Sequence, residues 1–360
     1  MGRERRTDEG QGAAATGRPS ITAVAAAAGV SPTTVSHALS GTRAVRAETR
    51  ERVIRAAAEL GYTPNRLASG LRLRRTGVIG LASDLIATTP FAGRIVQGAQ
   101  EAARERGAVL MTVDSEGDPE LEAAQLRSLA DHRVDGILLA RMFHQELVRP
   151  LALGSMPVVL IDAVPADDWR VPAVAPDERA IAATAVAHLL AAGHRRIAFA
   201  TTTDDTPASR GRDAGFRAAL DDAGLGGSRA LVEHGTSDAS GGRAAGRRLL
   251  DRPEPERPTA VFCFNDQMAM GVYQAASALG LEVPLDCSVL GVDDLDIIAG
   301  ALEPALTTIA LPHREMGRWG AARLLDLIDD GAASTATDAA GPLFLRCELV
   351  ERGSVASPRR

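Results

Sequence analysis

Between residues 21 and 60 the apolar positions recur at helical spacing, and beyond residue 77 they gather into short runs separated by helical stretches. Ile21, Val24, Ala25 and Ala28 fall at i, i+3, i+4 and i+7, one apolar face that Gly29 can end through the left-handed region. Ser31 and Pro32 then read as an N-cap and a first-turn proline, so a second helix follows at once. It is expected to bury Val35 and Leu39 and to expose Thr33, Thr34, Ser36 and His37. A third helix is predicted over Ala47–Leu60, with Val53, Ile54, Ala57 and Leu60 turned to the first two and Gly61 ending it. Two helices joined by so short a turn form a helix-turn-helix, whose second helix fits the major groove and reads base edges with its first residues. Mere packing of a helix pair is the competing explanation.

From residue 77 the pattern changes. Strands are predicted at Val78–Leu81, Val109–Val113, Gly136–Ala140, Val158–Ile161, Ile197–Ala200, Leu231–Glu233, Ala260–Phe264 and Val289–Val292. Helices are predicted over Phe91–Arg106, Pro119–His132, Glu178–Ala192, Gly211–Ala223, Ser240–Leu250, Gln267–Leu279 and about Arg314–Asp329. Short apolar runs alternating with helices mean parallel sheets covered on both faces. About ten strands are too many for one compact sheet of this size, which points to two α/β lobes behind an all-α head.

Charge separates the same two parts. Up to Thr76 there are 13 Arg against 6 Asp and Glu, a balance of +7, while the whole chain carries −6 and the remainder therefore −13. A basic head on an acidic body suits a polyanion bound at one end. With 360 residues and 45% hydrophobic content, two or three domains are expected. No run of about 18 apolar residues occurs, and the opening MGRERRTDEGQGAAATGRPS lacks the apolar middle of a secretion signal, so the expected location is the cytoplasm. Cys263, Cys287 and Cys347 lack zinc-motif spacing and read as packed thiols; no metal and no cofactor is expected.

The stretch AVAAAAGVSPTTVSHALSG, followed by VRAETRERVIRAAAELGYTPNRLASGL, resembles the DNA-binding headpiece and hinge of the lactose-repressor/galactose-repressor (LacI/GalR) family of bacterial transcription regulators. The resemblance continues over nearly the whole chain after about residue 19, including PALTTIALPHREMGRWGAARLLDLI and ELVERGS. It implies a helix-turn-helix headpiece with a hinge helix, then a two-lobed periplasmic-binding-protein-like effector domain. The implied divisions are a disordered tail at 1–18, a DNA-binding domain at 19–64 and a hinge at 65–76. The first lobe then takes 77–175 and 312–338, and the second 176–311 and 339–360. The resemblance also implies that Asn65, Ala68, Leu71 and Arg72 lie on the hinge, with Leu71 wedged between central base pairs. Pro32, Thr33 and His37 depart from the family's usual reading residues. An imidazole can donate to a purine acceptor, but it lacks the arginine fork toward guanine. Arg46 stands where the family usually has a capping Ser.

In open parallel sheets a ligand sits beyond the C-terminal strand ends. There the sequence places Asp84 and Phe91 after the first strand, Asp162 in VVLID, Asp177 before a helix, Arg212 at the turn into GFRAAL, Asn265 and Asp266 after VFCF, and Asp293 after VLGV. Acceptors paired with one Arg and one Asn can hold a polyhydroxylated molecule through bidentate hydrogen bonds. By resemblance Asp162, Arg212, Asn265 and Asp293 match the family's effector contacts, with Phe91 and Asp177 as further candidates. Asp177 and Asp266 also fit helix N-caps. In GTSDASGG, Ser237 stands where the family usually has an aromatic that stacks on the ligand; Trp169 is a candidate substitute.

The expected partners are double-stranded operator DNA, a small effector such as a sugar or related metabolite, and a second copy of the chain. A heptad tail after Arg352 is absent, so a tetramerising coiled coil is not indicated. Two other classes fit less well. A solute-binding protein would need an export signal and no basic head. A nucleotide-dependent enzyme would need a phosphate cradle, yet the first strand leads into GVIGLASD and no Gly-Lys-Ser/Thr loop occurs.

Overall fold

The computed structural model describes residues 19–40, 43–62, 75–226, 231–330 and 341–359. It divides into a unit ending at Arg74 and a unit from Arg75 onward. The hinge positions Asn65, Ala68, Leu71 and Arg72, and the tail at 1–18, lie outside the described residues.

Three helices form the first unit: α1 (Ile21–Ala28), α2 (Pro32–Ser40) and α3 (Ala47–Glu59). Ser20 caps α1 by accepting from the Ala23 amide, and Gly29 closes it at φ 61°. The Ser31 hydroxyl accepts from the Thr34 amide at 3.1 Å, as expected for the cap of α2. Val24, Ala25, Ala28, Val35, Ala38, Val53, Ala56 and Ala57 make the small core. Two expectations change. Ile54 and Leu60 are exposed, and Ala56 takes the inward place. Leu39 is half-buried, with Ala38 inside instead. The inward residues of this module are Ala and Val, so its core is filled by small side chains and the larger Ile54 and Leu60 stay outside. The Arg52 guanidinium donates to the Ala28 carbonyl at 2.9 Å and ties α3 to the end of α1.

Arg46 precedes α3 without any side-chain cap. Arg46→Ser is therefore expected to stabilise the headpiece by about 1 kcal/mol, read as a higher urea midpoint for loss of helical circular dichroism in the headpiece. No gain would mean that the first-turn amides are already satisfied.

The second unit carries two six-stranded sheets. The first holds β1 (Val78–Ser83), β2 (Val109–Asp114), β3 (Ile137–Leu147), β4 (Val158–Pro165), β5 (Ala173–Pro176) and β11 (Leu343–Leu345). The second holds β6 (Ile197–Thr202), β7 (Leu231–Gly235), β8 (Ala260–Cys263), β9 (Ser288–Asp293), β10 (Thr307–Ala310) and β12 (Glu348–Val350). Their strand orders correspond: β11-β5-β4-β3-β1-β2 and β12-β10-β9-β8-β6-β7. All described pairings are parallel except β10 with β12. The helices are α4 (Ala92–Glu105), α5 (Pro119–Asp131), α6 (Glu178–Ala191), α7 (Pro207–Asp222), α8 (Ala239–Leu250), α9 (Asp266–Ala278) and α10 (His313–Asp330).

Each lobe buries its sheet between helices. Ile79, Leu81, Ile95, Met316 and Leu324 fill one face of the first sheet, and Leu126, Leu129, Ile137, Leu139 and Leu160 the other. In the second lobe Phe199 stacks on Phe262 at 4.7 Å and meets Phe216 at 5.2 Å. Helices α4 and α10 cross at Gly98 and Gly317. A Cβ on either would fall onto backbone of the other helix, at Arg314 and Ile95 respectively. Gly242 on α8 and Gly271 on α9 meet in the same manner.

The chain changes sheet after β5, after β10, and a third time between Leu345 and Glu348. That last passage falls later than the sequence reading placed it, because β11 still pairs with β5 in the first sheet. Two three-residue strands separated by two residues give no turn signal, so the change of sheet leaves no mark in the pattern. The strand β5 was likewise not among the predicted runs.

Candidate functional site

Within the headpiece, α2 presents its first residues most openly. Pro32 and Thr33 are exposed, whereas Thr34, Ser36 and His37 are half-buried, a correction to the expectation of full exposure. The helix packs on both α1 and α3, which narrows its free arc, and the Thr34 hydroxyl also bonds the Ser31 hydroxyl at 2.9 Å.

The other candidates converge at the C-terminal strand ends of both sheets. Asp162 lies on β4 of the first lobe and Asp293 ends β9 of the second. Both sit at positive φ, 53° and 115°, backbone strain of the kind that holds a side chain where function needs it. Arg212 lies on α7, which starts at Pro207 and not at Gly211: Thr206 and Ser209 form a capping box around that proline. Arg212 therefore projects from an established helical turn and not from the entry to the helix. Its guanidinium donates through Nε to Glu178 Oε2 at 2.8 Å and through Nη1 to the Phe264 carbonyl, and lies 4.5 Å from the centre of the Phe264 ring.

Glu178 links the two lobes. Standing in the first turn of α6, it holds Arg212 on its own lobe and meets His144 Nδ1, on β3 of the other, at 3.2 Å. Burial pushes its carboxyl up, but the Arg212 charge and the His144 hydrogen bond outweigh burial and hold it below the ordinary value. Asp162 has no such counterweight. Burial raises its pKa to about 7, opposed by His144 and Arg212 and reinforced by Glu178 and Asp84. Asp293 is pushed well up, first by burial and then by Asp266.

Several buried polar atoms around these residues have no partner among the described residues: Asp162 Oδ1, His144 Nε2, Thr201 Oγ1, Ser83 Oγ and both ring nitrogens of His313. Buried groups are normally satisfied. Ser83 and Thr201 belong to the ends of β1 and β6, and His313 to the segment that re-enters the first lobe. Orphans gathered at strand ends in both lobes mark a place built to be completed by something else. Phe91 stacks on His313 at 4.1 Å, which gives this place an aromatic wall. Burial, with Arg94 and Arg212 nearby, drives the His313 pKa down to about 3, so its ring is neutral at physiological pH.

The remaining candidates have structural tasks. Asn265, and not Asp266, caps α9: its Oδ1 accepts from the Met268 amide at 2.7 Å, while its Nδ2 donates to the Ser237 carbonyl at 2.9 Å. Asp266 is fully buried inside the second lobe, accepting from the Leu295 amide and the Thr308 hydroxyl. Asp177 caps α6 through the Ala180 amide at 3.0 Å. Asp84 accepts from the Met142 amide and the Gln145 side chain and so anchors the far end of β3. Ser237 donates to Asp204 at 3.3 Å and supplies no ring. Trp169 does not replace one, because it packs on the first-lobe cluster with Leu147 and Leu153.

His144, Glu178 and His313 were not singled out in the sequence. β3 runs on to Leu147 after a register shift between Ala140 and Gln145, and this irregular extension carries His144 inward. Glu178 reads as an ordinary first-turn acid. At the rim, Arg94 pairs with Asp296 at 2.8 Å and Arg210 with Glu146 at 3.0 Å, each joining one lobe to the other. A separate cavity of about 810 Å³ lies on the first lobe, lined by Asp84, Glu122, Arg141 and Gln145 among others, and includes none of Asp162, Arg212 or Asp293.

Among the described residues no helix is long and apolar enough to cross a membrane. Residues 20–65 match the family described as bacterial regulatory proteins, lacI family, and residues 76–343 match the periplasmic binding proteins and sugar binding domain of LacI family. The ribose operon repressor of Escherichia coli K12 is 37% identical over 297 residues, covering 82% of this chain and 88% of that protein. The transcriptional repressor PurR of Aliivibrio fischeri is 34% identical over 309 residues, 85% of this chain and 91% of its own. The lac repressor dimer bound to operator and an anti-inducer superposes with a TM-score of 0.75 at 28% identity, over 94% of this chain and all of that one. Matches of this extent to both halves show that the chain belongs to the LacI family of bacterial regulatory proteins.

Proposed function

We propose that the chain is a sequence-specific DNA-binding transcriptional regulator, a homodimeric repressor whose operator affinity is set by a small ligand held between the lobes. The carrying observation is the set of partnerless buried polar atoms at the strand ends of both lobes, behind a basic helix-turn-helix module. A ligand that prefers one closure of the lobes shifts their relative angle and thereby the pairing of two headpieces on DNA. Asp162, Arg212, Asn265, Asp293 and Phe91 are the proposed effector contacts, joined by Glu178, His144 and His313; Asp177 acts by capping α6. Pro32, Thr33, Thr34, Ser36 and His37 are the proposed groove contacts, with Asn65, Ala68, Leu71 and Arg72 on the hinge. The proposed divisions are headpiece 19–64, hinge 65–76 and two lobes thereafter, with 343–345 in the first. The relatives' names as repressors, and the operator in the lac repressor complex, support this reading.

Footprinting of the full chain on DNA upstream of its own gene is the test, and a protected near-palindrome is the expected result. Operator affinity should fall steeply with salt, by nearly one log unit per log unit of salt for each phosphate neutralised. Leu71→Ala should weaken operator binding roughly tenfold or more, since the wedge that opens the base step is lost. Unchanged affinity in that variant removes Leu71 from the interface.

A further inference from the structure

We propose that Glu178 makes the interlobe site selective for an uncharged polyhydroxylated ligand over its phosphorylated or carboxylated counterpart. The inference rests on the reading of this cleft as the effector site and specifies what it accepts.

Anion binding needs an available cation, and every arginine whose ion pairs place it at the cleft is already answered by a carboxylate. Arg212 is the only one of them at the centre. Glu178 takes its Nε at 2.8 Å, the Phe264 carbonyl takes Nη1, and the Phe264 ring covers its face. At the rim Arg94 is held by Asp296, and Arg210 by Glu146 and Asp205. Arg141, next to Asp84, is held by Glu122 at 2.7 Å. His313 is neutral, so it adds no charge. Once Glu178 has neutralised Arg212, Asp162 and Asp293 remain as two buried carboxyls without an ion-pair partner among the described residues.

A ligand placed among these groups meets carboxyl oxygens, hydroxyls and the neutral His313 ring. Hydroxyl groups suit that set: they donate to Asp162 Oδ1 and accept from the Ser83 or Thr201 hydroxyl. A phosphate or carboxylate offers only acceptors and negative charge to a centre whose arginine is already neutralised by Glu178. With no free counter-charge at the centre of a poorly solvated site, an anion loses its hydration uncompensated, which weakens binding roughly tenfold or more.

The test is calorimetry on the full-length protein with paired probes. Free pentoses, hexoses, disaccharides and polyols are each set against a phosphorylated or acidic counterpart, for example D-ribose with D-ribose 5-phosphate and D-glucose with D-glucose 6-phosphate and D-gluconate. The expected result is binding of at least one neutral member with its charged counterpart roughly tenfold weaker or undetectable. Glu178→Gln, which keeps the shape but frees the Arg212 charge, should narrow that ratio; Glu178→Ala, which frees the same charge, serves as a second variant should the first not fold. A charged counterpart bound as tightly as its parent overturns the proposal, and so does a panel in which no neutral member binds. Operator affinity measured on the same preparation separates the two levels: with DNA binding intact, only the ligand assignment falls; with DNA binding absent, the regulator reading falls too.

Discussion

Gly98→Ala is expected to lower the melting temperature of the two-lobed unit by roughly 5 °C, an effect of about 3 kcal/mol. Helices α4 and α10 approach backbone to backbone at Gly98 and Gly317, and a methyl at Gly98 would overlap the Arg314 carbonyl. The obstruction is main chain on a long helix, so no side-chain rotamer can relieve it. The helices must separate, and Ile95, Ala99, Met316 and Leu324 between them lose contact. Arg314 and Arg318 pair with Glu101 and Glu105 across the same helices, but these are exposed pairs of small worth and cannot hold the crossing closed. Gly93, exposed on the same helix with open space where its Cβ would sit, is the control: Gly93→Ala should be neutral or slightly stabilising. Equal melting temperatures for the two variants would show that the crossing tolerates a wider spacing than the structure has.

The second large effect concerns acidity. Stability of the ligand-free two-lobed unit should decline as pH rises from about 4 to about 7, and Asp162→Asn should remove part of that decline. Asp162 is buried, and its folded pKa is lifted to about 7 by burial above all. A carboxyl raised in the folded state binds a proton there that the unfolded chain has already released, so stability falls with pH across that interval and is level above it. At 1.4 kcal/mol per unit the full span is on the order of 4 kcal/mol. Asp266, raised to about 7 by burial, and Asp293, pushed well up, act in the same direction and account for the rest. Urea midpoints at pH 5.5 and pH 8 for both proteins are the measurement. A variant no more stable than the parent protein at pH 8 would mean that Asp162 is already solvated or paired in the ligand-free state.

Most of the fold was legible because its elements are long and strongly patterned. Strands buried on both faces appear as apolar runs, and helices such as α4 and α6 announce themselves by spacing; the predicted spans differ from the observed ones by a few residues at most ends. Where the pattern is short it fails, as at β5 and β11, whose three or four residues cannot establish a period. The site was legible only in part. Asp162, Arg212 and Asp293 come together because strand ends are fixed by topology. His144 does not announce itself, since it rides on a strand extension beyond a register shift, and ARMFHQEL carries no alternation. Asn265 and Asp266 are adjacent in sequence and exchange roles: the cap fell to Asn265 because its backbone is extended at φ −147°, which leaves Asp266 as the first helical residue, turned inward.

The rim pairs Arg94–Asp296 and Arg210–Glu146 have a practical corollary for anyone titrating this protein with potassium chloride. Both contacts are solvent-facing, so added electrolyte weakens them as it weakens phosphate contacts. A plot of operator affinity against ionic strength will therefore contain a contribution from loosening of the clamp, and its slope will not report the phosphates alone. Repeating the titration with Arg94 and Arg210 both changed to Gln would isolate the part that belongs to DNA.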